Sequence, residues 1–273
     1  MIRPGEIQQK ARAMGVRDQQ IEKDYVLSWI LYGIACHAQF SKAIVFKGGT
    51  VLKKVYFQDY RFSEDLDFTL HNREISNNQI FIWCREVFEF IKEEANIPLE
   101  INENTEHEDG GINFYINYIG PLGGYGNNKR VKVDITRLEQ LVFEPLIKKA
   151  FVEYTDLEAY ALLCYSLEEV LLEKMRCVMQ RMQARDFYDI WYLIVEYGMD
   201  PNFYLNEFEN KCKKKGLKHS DFLQKLMERL PQYKGRWKSS LSDQIKDLPD
   251  FDQVEREVLR LLKKLNLTNQ HNP

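Results

Sequence analysis

The segment Arg61-Phe62-Ser63-Glu64-Asp65-Leu66-Asp67-Phe68-Thr69-Leu70 changes character halfway along. From Asp65 onward Leu66, Phe68 and Leu70 alternate with Asp65, Asp67 and Thr69, the period-two pattern of a strand with one face on a core. Residues two apart share a face, so two carboxylates stand side by side opposite the apolar row. Such a pair repels itself unless a cation or a proton lies between its members. Oxygen ligands on a rigid strand suit Mg²⁺, which keeps waters and phosphate oxygens in its remaining positions. An exposed strand face or a turn would carry the same letters, so the surroundings have to choose.

Upstream, the apolar run Ala43-Ile44-Val45-Phe46 meets Gly48-Gly49 and then Thr50. This reads as a buried strand, a tight turn and a helix carrying Val51, Leu52, Val55 and Tyr56. Free backbone N–H groups at such a turn can hold a phosphate; a glycine pair after a strand is also often only a turn. Downstream, Ile112, Phe114, Ile116 and Tyr118 alternate as a strand. A glycine-rich loop, Gly120 to Gly126, leads into Val131-Lys132-Val133-Asp134-Ile135. That loop could cradle phosphate, and a plain hairpin between antiparallel strands is the simpler reading. Asp134 shares its face with Lys132 and Thr136. If this strand neighbours that of Asp65 and Asp67, three carboxylates meet on one sheet face, as in two-metal phosphoryl transfer.

Farther out, Ile21, Tyr25, Val26, Trp29, Ile30 and Ile34 follow helical spacing, and residues from about 78 to 94 form a second amphipathic helix with Phe81, Ile82, Phe88 and Ile91 on its core face. Strand signals stop after Ile135. From about Thr155 the pattern is helical, punctuated at Gly198, Pro201, Gly216, Pro231 and Pro249. The expected architecture is α+β: a mixed-sheet domain with a helical lead-in over residues 1–150, then a helical bundle domain over 151–273.

The 273 residues carry 38 Lys and Arg against 41 Asp and Glu, a net charge of −3, so no global basic field exists to draw in polyanions. No apolar run reaches the ~18 residues of a membrane span, and the opening Met1-Ile2-Arg3-Pro4-Gly5-Glu6 lacks a signal-peptide core. The five cysteines are scattered without any C-x-x-C, which reads as reduced thiols in a cytoplasmic protein.

Phe46-Lys47-Gly48-Gly49-Thr50, Arg61-x-Ser63-x-Asp65-Leu66-Asp67-Phe68 and Lys132-Val133-Asp134-Ile135 together resemble the nucleotidyltransferase superfamily, whose signature is a glycine pair, a spacer, a D-h-[DE] pair and a third acid on a later strand. The spacer here, residues 50 to 64, is longer than usual, so the helix-to-strand connection must be extended. Adding Ser166 to Arg176, Arg181 and Ala184-Arg185-Asp186-Phe187-Tyr188-Asp189-Ile190-Trp191 narrows the likeness. The set, from about Asp24 to Leu193, is similar to the AbiEii/AbiGii family of nucleotidyltransferase toxins.

The resemblance implies Mg²⁺-dependent transfer of a nucleoside monophosphate from an NTP, with Asp65, Asp67 and Asp134 as metal ligands and Asp134 otherwise activating the attacking hydroxyl. Gly48, Gly49 and Thr50 would hold phosphates, with Arg61 and Lys174 neutralising the leaving pyrophosphate and the helical domain closing over the nucleotide. It implies, too, a toxin of a bacterial toxin–antitoxin or abortive-infection (phage-defence) pair with a separately encoded antitoxin. In some relatives the acceptor is the 3′ end of tRNA.

Lys174 interrupts an apolar helix stripe of Leu167, Val170, Leu171, Met175, Val178 and Met182. On the residues alone it either lays its stem on the core with its head in water or pairs with Asp186, which could instead cap the helix it opens. The resemblance places both Lys174 and Asp186 in the site and leaves Asp189 undecided. Between Lys211 and Lys238 ten basic residues face only Asp221 and Glu228, with Phe222, Tyr233 and Trp237 interleaved. This segment reads as an RNA grip with stacking aromatics or as a solvated helix face. Two rival functions stay in view. One is a catalytically silent nucleotide- or RNA-binding protein. The other is a haloacid-dehalogenase-type phosphatase, whose D-x-D-x-T start Asp65 to Thr69 also fits although the apolar lead-in strand is missing.

Overall fold

A computed structural model gives the fold of residues 1–72, 74–124, 126, 129–137 and 139–267. Helices α1 (Pro4–Met14) and α2 (Asp18–Cys36) open the chain, and the short α3 (Phe40–Ala43) leads into β1 (Ile44–Lys47). One turn of helix, α4 (Gly48–Val51), widens into a π-helical turn, Leu52–Tyr56. That turn and the following loop to β2 (Asp65–Leu70) absorb the long spacer. Next come α5 (Asn77–Ala95), β3 (Leu99–Glu106), β4 (Ile112–Tyr118), β5 (Arg130–Thr136), β6 (Leu146–Lys149) and β7 (Ala161–Cys164). The seven strands form one mixed sheet in the order β3-β4-β5-β2-β1-β7-β6. All of this lies in a first unit, Met1–Glu139 with Pro145–Tyr165.

The apolar face of the sheet is built as the alternation predicts. Leu66 and Phe68 of β2, Val133 and Ile135 of β5 and Phe114 and Ile116 of β4 meet Ile30 and Ile34 of α2 and Cys84, Val87 and Phe88 of α5. Ser76 caps α5 by accepting from the Gln79 N–H. The buried stripe of α5 is Ile80, Trp83, Cys84, Val87, Phe88 and Ile91, rotated from the expected one. Phe81 and Ile82 flank it, and Phe81 meets Phe114 edge-on at 5.4 Å.

Two strands follow the point at Ile135 where strand signals were expected to stop, and the second, β7, lies in the stretch expected to be helical. β7 pairs parallel with β1 through Phe46 and Cys164, and β6 pairs antiparallel with β7 as the sheet's edge. The segment between them is fastened by buried charge. Lys54 donates to Asp24 at 2.6 Å and to Glu153 at 2.9 Å, Lys53 reaches Glu153 at 3.1 Å, and the Tyr154 hydroxyl donates to Asp24 at 2.7 Å. Burial alone would raise the Glu153 carboxyl; the Lys54 and Lys53 ammoniums outweigh it and hold the group below its ordinary range.

The glycine-rich loop after β4 cradles a carboxylate of the protein itself. The Leu122 N–H and the Lys129 ammonium both donate to Glu22 of α2, at 2.7 and 2.6 Å. It joins antiparallel neighbours, β4 and β5. Its Tyr125 lies outside the described residues.

The second unit, Gln140–Glu144 with Ser166–Pro273, contains α6 (Leu167–Gln180), α7 (Ala184–Trp191), α8 (Leu205–Lys213), α9 (Phe222–Leu241) and α10 (Phe251–Leu262). Ser166 caps α6, and Glu169 one turn on is buried. Its carboxylate accepts from the Val142 and Phe143 N–H groups at 2.9 Å each and from Lys211 at 2.5 Å, which fixes the inserted segment on this unit. Phe187 of α7 stacks on Tyr233 of α9 at 5.5 Å and touches Trp237 and Phe251. All five cysteines are free. No helix among the described residues is long and apolar enough to cross a membrane.

Candidate active site

Register brings the carboxylates together. β2 and β5 run parallel with Asp67 opposite Asp134 and Asp65 opposite Lys132. β1 lies antiparallel on the other side of β2, with Lys47 opposite Asp67, and β4 places Asn113 opposite Asp134. Residues paired across strands share a face, so Lys47, Asp67, Asp134 and Asn113 form one polar row and Asp65, Lys132 and Tyr115 the next. The three aspartates are partly exposed while Leu66, Phe68, Val133 and Ile135 beneath them are buried.

The glycine turn is fitted to this row. Gly48 has φ +80°, and a Cβ there would lie 2.2 Å from the Asp67 Oδ2. Only a glycine admits both the left-handed backbone and the carboxylate resting on it. At Gly49 a Cβ would stand 2.5 Å from the Arg61 Nη2, so the guanidinium lies along the turn while also donating to the Phe62 carbonyl at 3.1 Å. Thr50 is buried and its hydroxyl donates to the Asp65 carbonyl at 2.5 Å. Its side chain therefore anchors the start of β2. These five residues, Gly48, Gly49, Thr50, Arg61 and Asp67, are brought together as a turn, a base and a carboxylate.

Beside them on the same sheet face runs a polar network that the sequence did not announce. Lys47 is buried, donates to Thr136 at 2.8 Å and to Glu139 at 3.3 Å, and its ammonium lies 5.8 Å from the centre of the Tyr165 ring. The Thr69 hydroxyl meets the Tyr165 hydroxyl at 2.6 Å. Strand alternation from Gly48 would have put Lys47 on a definite face; its partners needed the register of three strands.

The donor set fits a hard divalent ion, being carboxylate oxygen throughout, with two of its three members directly paired. Among the described residues no three His, Cys, Asp or Glu side chains close on one point as a formed metal cluster would.

Lys174 and Asp186 meet in the second unit. The buried Lys174 ammonium lies 2.8 Å from Asp186 and 2.7 Å from Asp189, and Arg181 grips Asp186 through Nε at 2.7 Å and Nη2 at 3.0 Å. Burial alone would raise the Asp186 carboxyl; Lys174 and Arg181 outweigh it and hold it below its ordinary range. Asp186 makes no side-chain cap for α7, so the capping alternative gives way to the ion pair. Asp189, left open by the sequence, is an equal partner of Lys174.

The basic segment divides. Phe222, Tyr233 and Trp237 are buried in the helical core and present no stacking face. Lys211 is buried against Glu169, Lys213 pairs with Glu209 and Lys234 with Asp252. Lys214, Lys215, Lys218 and Lys238 remain exposed.

The profile of a family described as nucleotidyl transferase AbiEii toxin, type IV toxin–antitoxin system, matches residues 29–257. No curated protein sequence matches the chain. Among solved structures, MenT4, a nucleotidyltransferase toxin from Mycobacterium tuberculosis, superposes with a TM-score of 0.62 at 17% identity, covering 97% of this chain and 91% of its own. JHP933 from Helicobacter pylori gives a TM-score of 0.58 at 17% identity over 91% and 92% of the two chains. At such identity these likenesses concern the fold.

Proposed function

Because the chain belongs to the AbiEii family of nucleotidyltransferase toxins of type IV toxin–antitoxin systems, we propose that its polar sheet face transfers a nucleoside monophosphate from an NTP to a hydroxyl of an RNA acceptor. The observation that carries this reading is Asp67, paired with Asp134 across parallel strands and seated on the Gly48 turn. Mg²⁺-dependent label transfer from α-labelled nucleotide separates this reading from a silent binder. The phosphatase reading meets a further obstacle, since Asp65 opens strand β2 and the strand on one side of it is antiparallel.

Asp65, Asp67 and Asp134 would hold Mg²⁺, which when bound would offset negative charge on the reacting phosphate. The backbone of Gly48 and Gly49 would lie along the triphosphate, with the Arg61 guanidinium adding positive charge where the pyrophosphate departs. Thr50 acts indirectly, by holding the Asp65 backbone. The Asp134 carboxylate would accept the proton of the attacking hydroxyl. As the acceptor O–P bond forms at the α-phosphorus, the bond to pyrophosphate breaks in line, and positioning supplies most of the rate. Within its own unit the Lys174 ammonium is held by Asp186 and Asp189, and engagement of the triphosphate is the role the resemblance implies for it.

The exposed lysines of 214–238 supply charge for RNA, with the 3′ end of tRNA as the acceptor the resemblance suggests. A separately encoded antitoxin and a cytoplasmic location accompany this reading. The test is Mg²⁺-dependent transfer of label from each α-labelled NTP to total RNA. Asp65→Asn and Asp67→Asn should each remove transfer and keep the melting curve. Near-normal turnover in either folded variant would overturn the assignment.

A further inference from the structure

Beyond the aspartates the polar face continues along β5, where every second residue is basic: Arg130, Lys132, then the acid Asp134. Alternate residues on a strand stand about 6.6 Å apart, comparable to successive phosphates of an extended polynucleotide. Lys132 sits opposite Asp65, yet its ammonium makes no ion pair or hydrogen bond among the described residues. It is partly exposed and stands two residues from the proposed proton acceptor. On the neighbouring strand Tyr115 pairs with Lys132. The Arg130 guanidinium lies 4.1 Å over the Tyr115 ring, and its one ion pair among the described residues, to Glu103 at 3.5 Å, is at the surface. A stacked guanidinium and phenol offer a flat, π-rich surface of the kind on which nucleobases rest.

We infer that Arg130, Lys132 and Tyr115 form the acceptor track of this enzyme, holding an extended single strand of nucleic acid whose terminal hydroxyl lies at Asp134. The inference rests on the transfer reading above and specifies where its acceptor lies. The last phosphodiester sits on Lys132 and the preceding one on Arg130, while a terminal base rests on Tyr115. Charge order supports this direction. Cations that attract the strand's phosphates come first, and the strand ends where an acid can take a proton from its hydroxyl. A free NTP has no need of two cations spaced along a strand.

The experiment measures binding of a fluorescently labelled single-stranded oligouridine to the full chain across a salt series, without NTP, so that binding is read apart from chemistry. Each phosphate contact on a single strand contributes about 0.7 to the slope of log affinity against log salt. The double variant R130Q/K132M should therefore lower that slope by about 1.4, and Lys132→Arg should restore part of it. Tyr115→Ala should weaken binding about tenfold or more, and Lys149→Met, on the exposed edge strand, should change nothing. In the transfer assay R130Q/K132M should raise the KM for oligonucleotide and leave that for NTP unchanged. An unaltered slope in folded R130Q/K132M, a raised KM for NTP alone, or no oligouridine binding by the wild type overturns the track. Transfer to RNA that persists unchanged in those variants sinks the track and spares the transfer reading. Track-dependent binding without any transfer does the reverse.

Discussion

Adding one methyl group at Gly48 tests whether the carboxylate on the glycine turn is the reacting one. In Gly48→Ala the new Cβ would lie 2.2 Å from the Asp67 Oδ2 and 3.0 Å from its Cγ. Contacts below 3.0 Å are not tolerated, so the Asp67 oxygen must retreat by about 0.8 Å or the turn must open. An alanine at φ +80° also costs roughly 1–2 kcal/mol in backbone strain. That strain alone should lower Tm by a few degrees, at about 2–4 °C for each kcal/mol in a chain approaching this length. Misplacing a reacting group by about 1 Å can cost on the order of 10²-fold in rate. The expected outcome is a small fall in Tm with about a hundredfold loss of label transfer in the folded fraction. Gly198→Ala provides the control, because Gly198 has φ +83° and nothing within 4 Å of a Cβ. It should show the strain and keep full activity. In the double variant Gly48→Ala/Asp67→Ala only the 3.1 Å contact with the Asp67 Cβ remains, so its loss of stability should be smaller than the sum of the single losses while activity stays absent. Calorimetry and transfer measured on one preparation decide the matter. A Gly48→Ala protein that is folded and more than half active would refute the placement of Asp67 at the chemistry.

Lys174→Met removes an ammonium that two buried carboxylates share, which should cost on the order of 3–5 kcal/mol in urea unfolding. Adding Asp189→Asn should recover more than half of that. If Lys174 engages the triphosphate, transfer in the stabilised double variant stays depressed about a hundredfold; full specific activity there would make the lysine structural. For acid stability, Asp186 and Glu153 have carboxyls held below their ordinary values in the folded chain. The unfolded chain therefore binds more protons as pH falls through about 4. Their stabilisation is complete above that pH and lost below it, as a stability-against-pH series should show, with Lys54→Met flattening the part due to Glu153.

What could be read from the letters was whatever repeats with the period of its own element. The alternation of Asp65 to Leu70 contained the strand, the shared face of Asp65 and Asp67, and the core beneath them. Val131 to Ile135 contained the same for Asp134, and only the adjacency of the two strands had to be supposed. β6 and β7 carried no such sign. Leu146-Ile147-Lys148-Lys149 is exposed at every position on an edge, so neither face selects for polarity. Ala161-Leu162-Leu163-Cys164 is too short to show a period and becomes a strand by pairing with β6 along its length and with β1 through Cys164, the latter a contact separated by more than a hundred residues. Tertiary pairing decides such segments, and local propensity does not. The glycine loop before β5 was ambiguous for a different reason. Backbone N–H groups bind a carboxylate as readily as a phosphate, and the carboxylate was Glu22, a hundred residues away in sequence from Leu122.

In the basic segment the deciding sign was present in the sequence. Phe222, Leu226, Leu230, Tyr233, Trp237 and Leu241 stand at intervals of three and four, a helix core stripe, so the aromatics belong to the interior whatever charges lie between them. Lys174 shows where such patterns stop being sufficient. Its place in an apolar stripe said that the ammonium was buried or reaching for something; helical spacing could not say how many partners it met. Two carboxylates at 2.8 and 2.7 Å, with Arg181 on one of them, set two anions against two cations within these four side chains. Such a group exerts little attraction on a triphosphate from a distance. Any contribution it makes to transfer must come at contact range, which is why its effect belongs in turnover, with nucleotide affinity nearly unchanged.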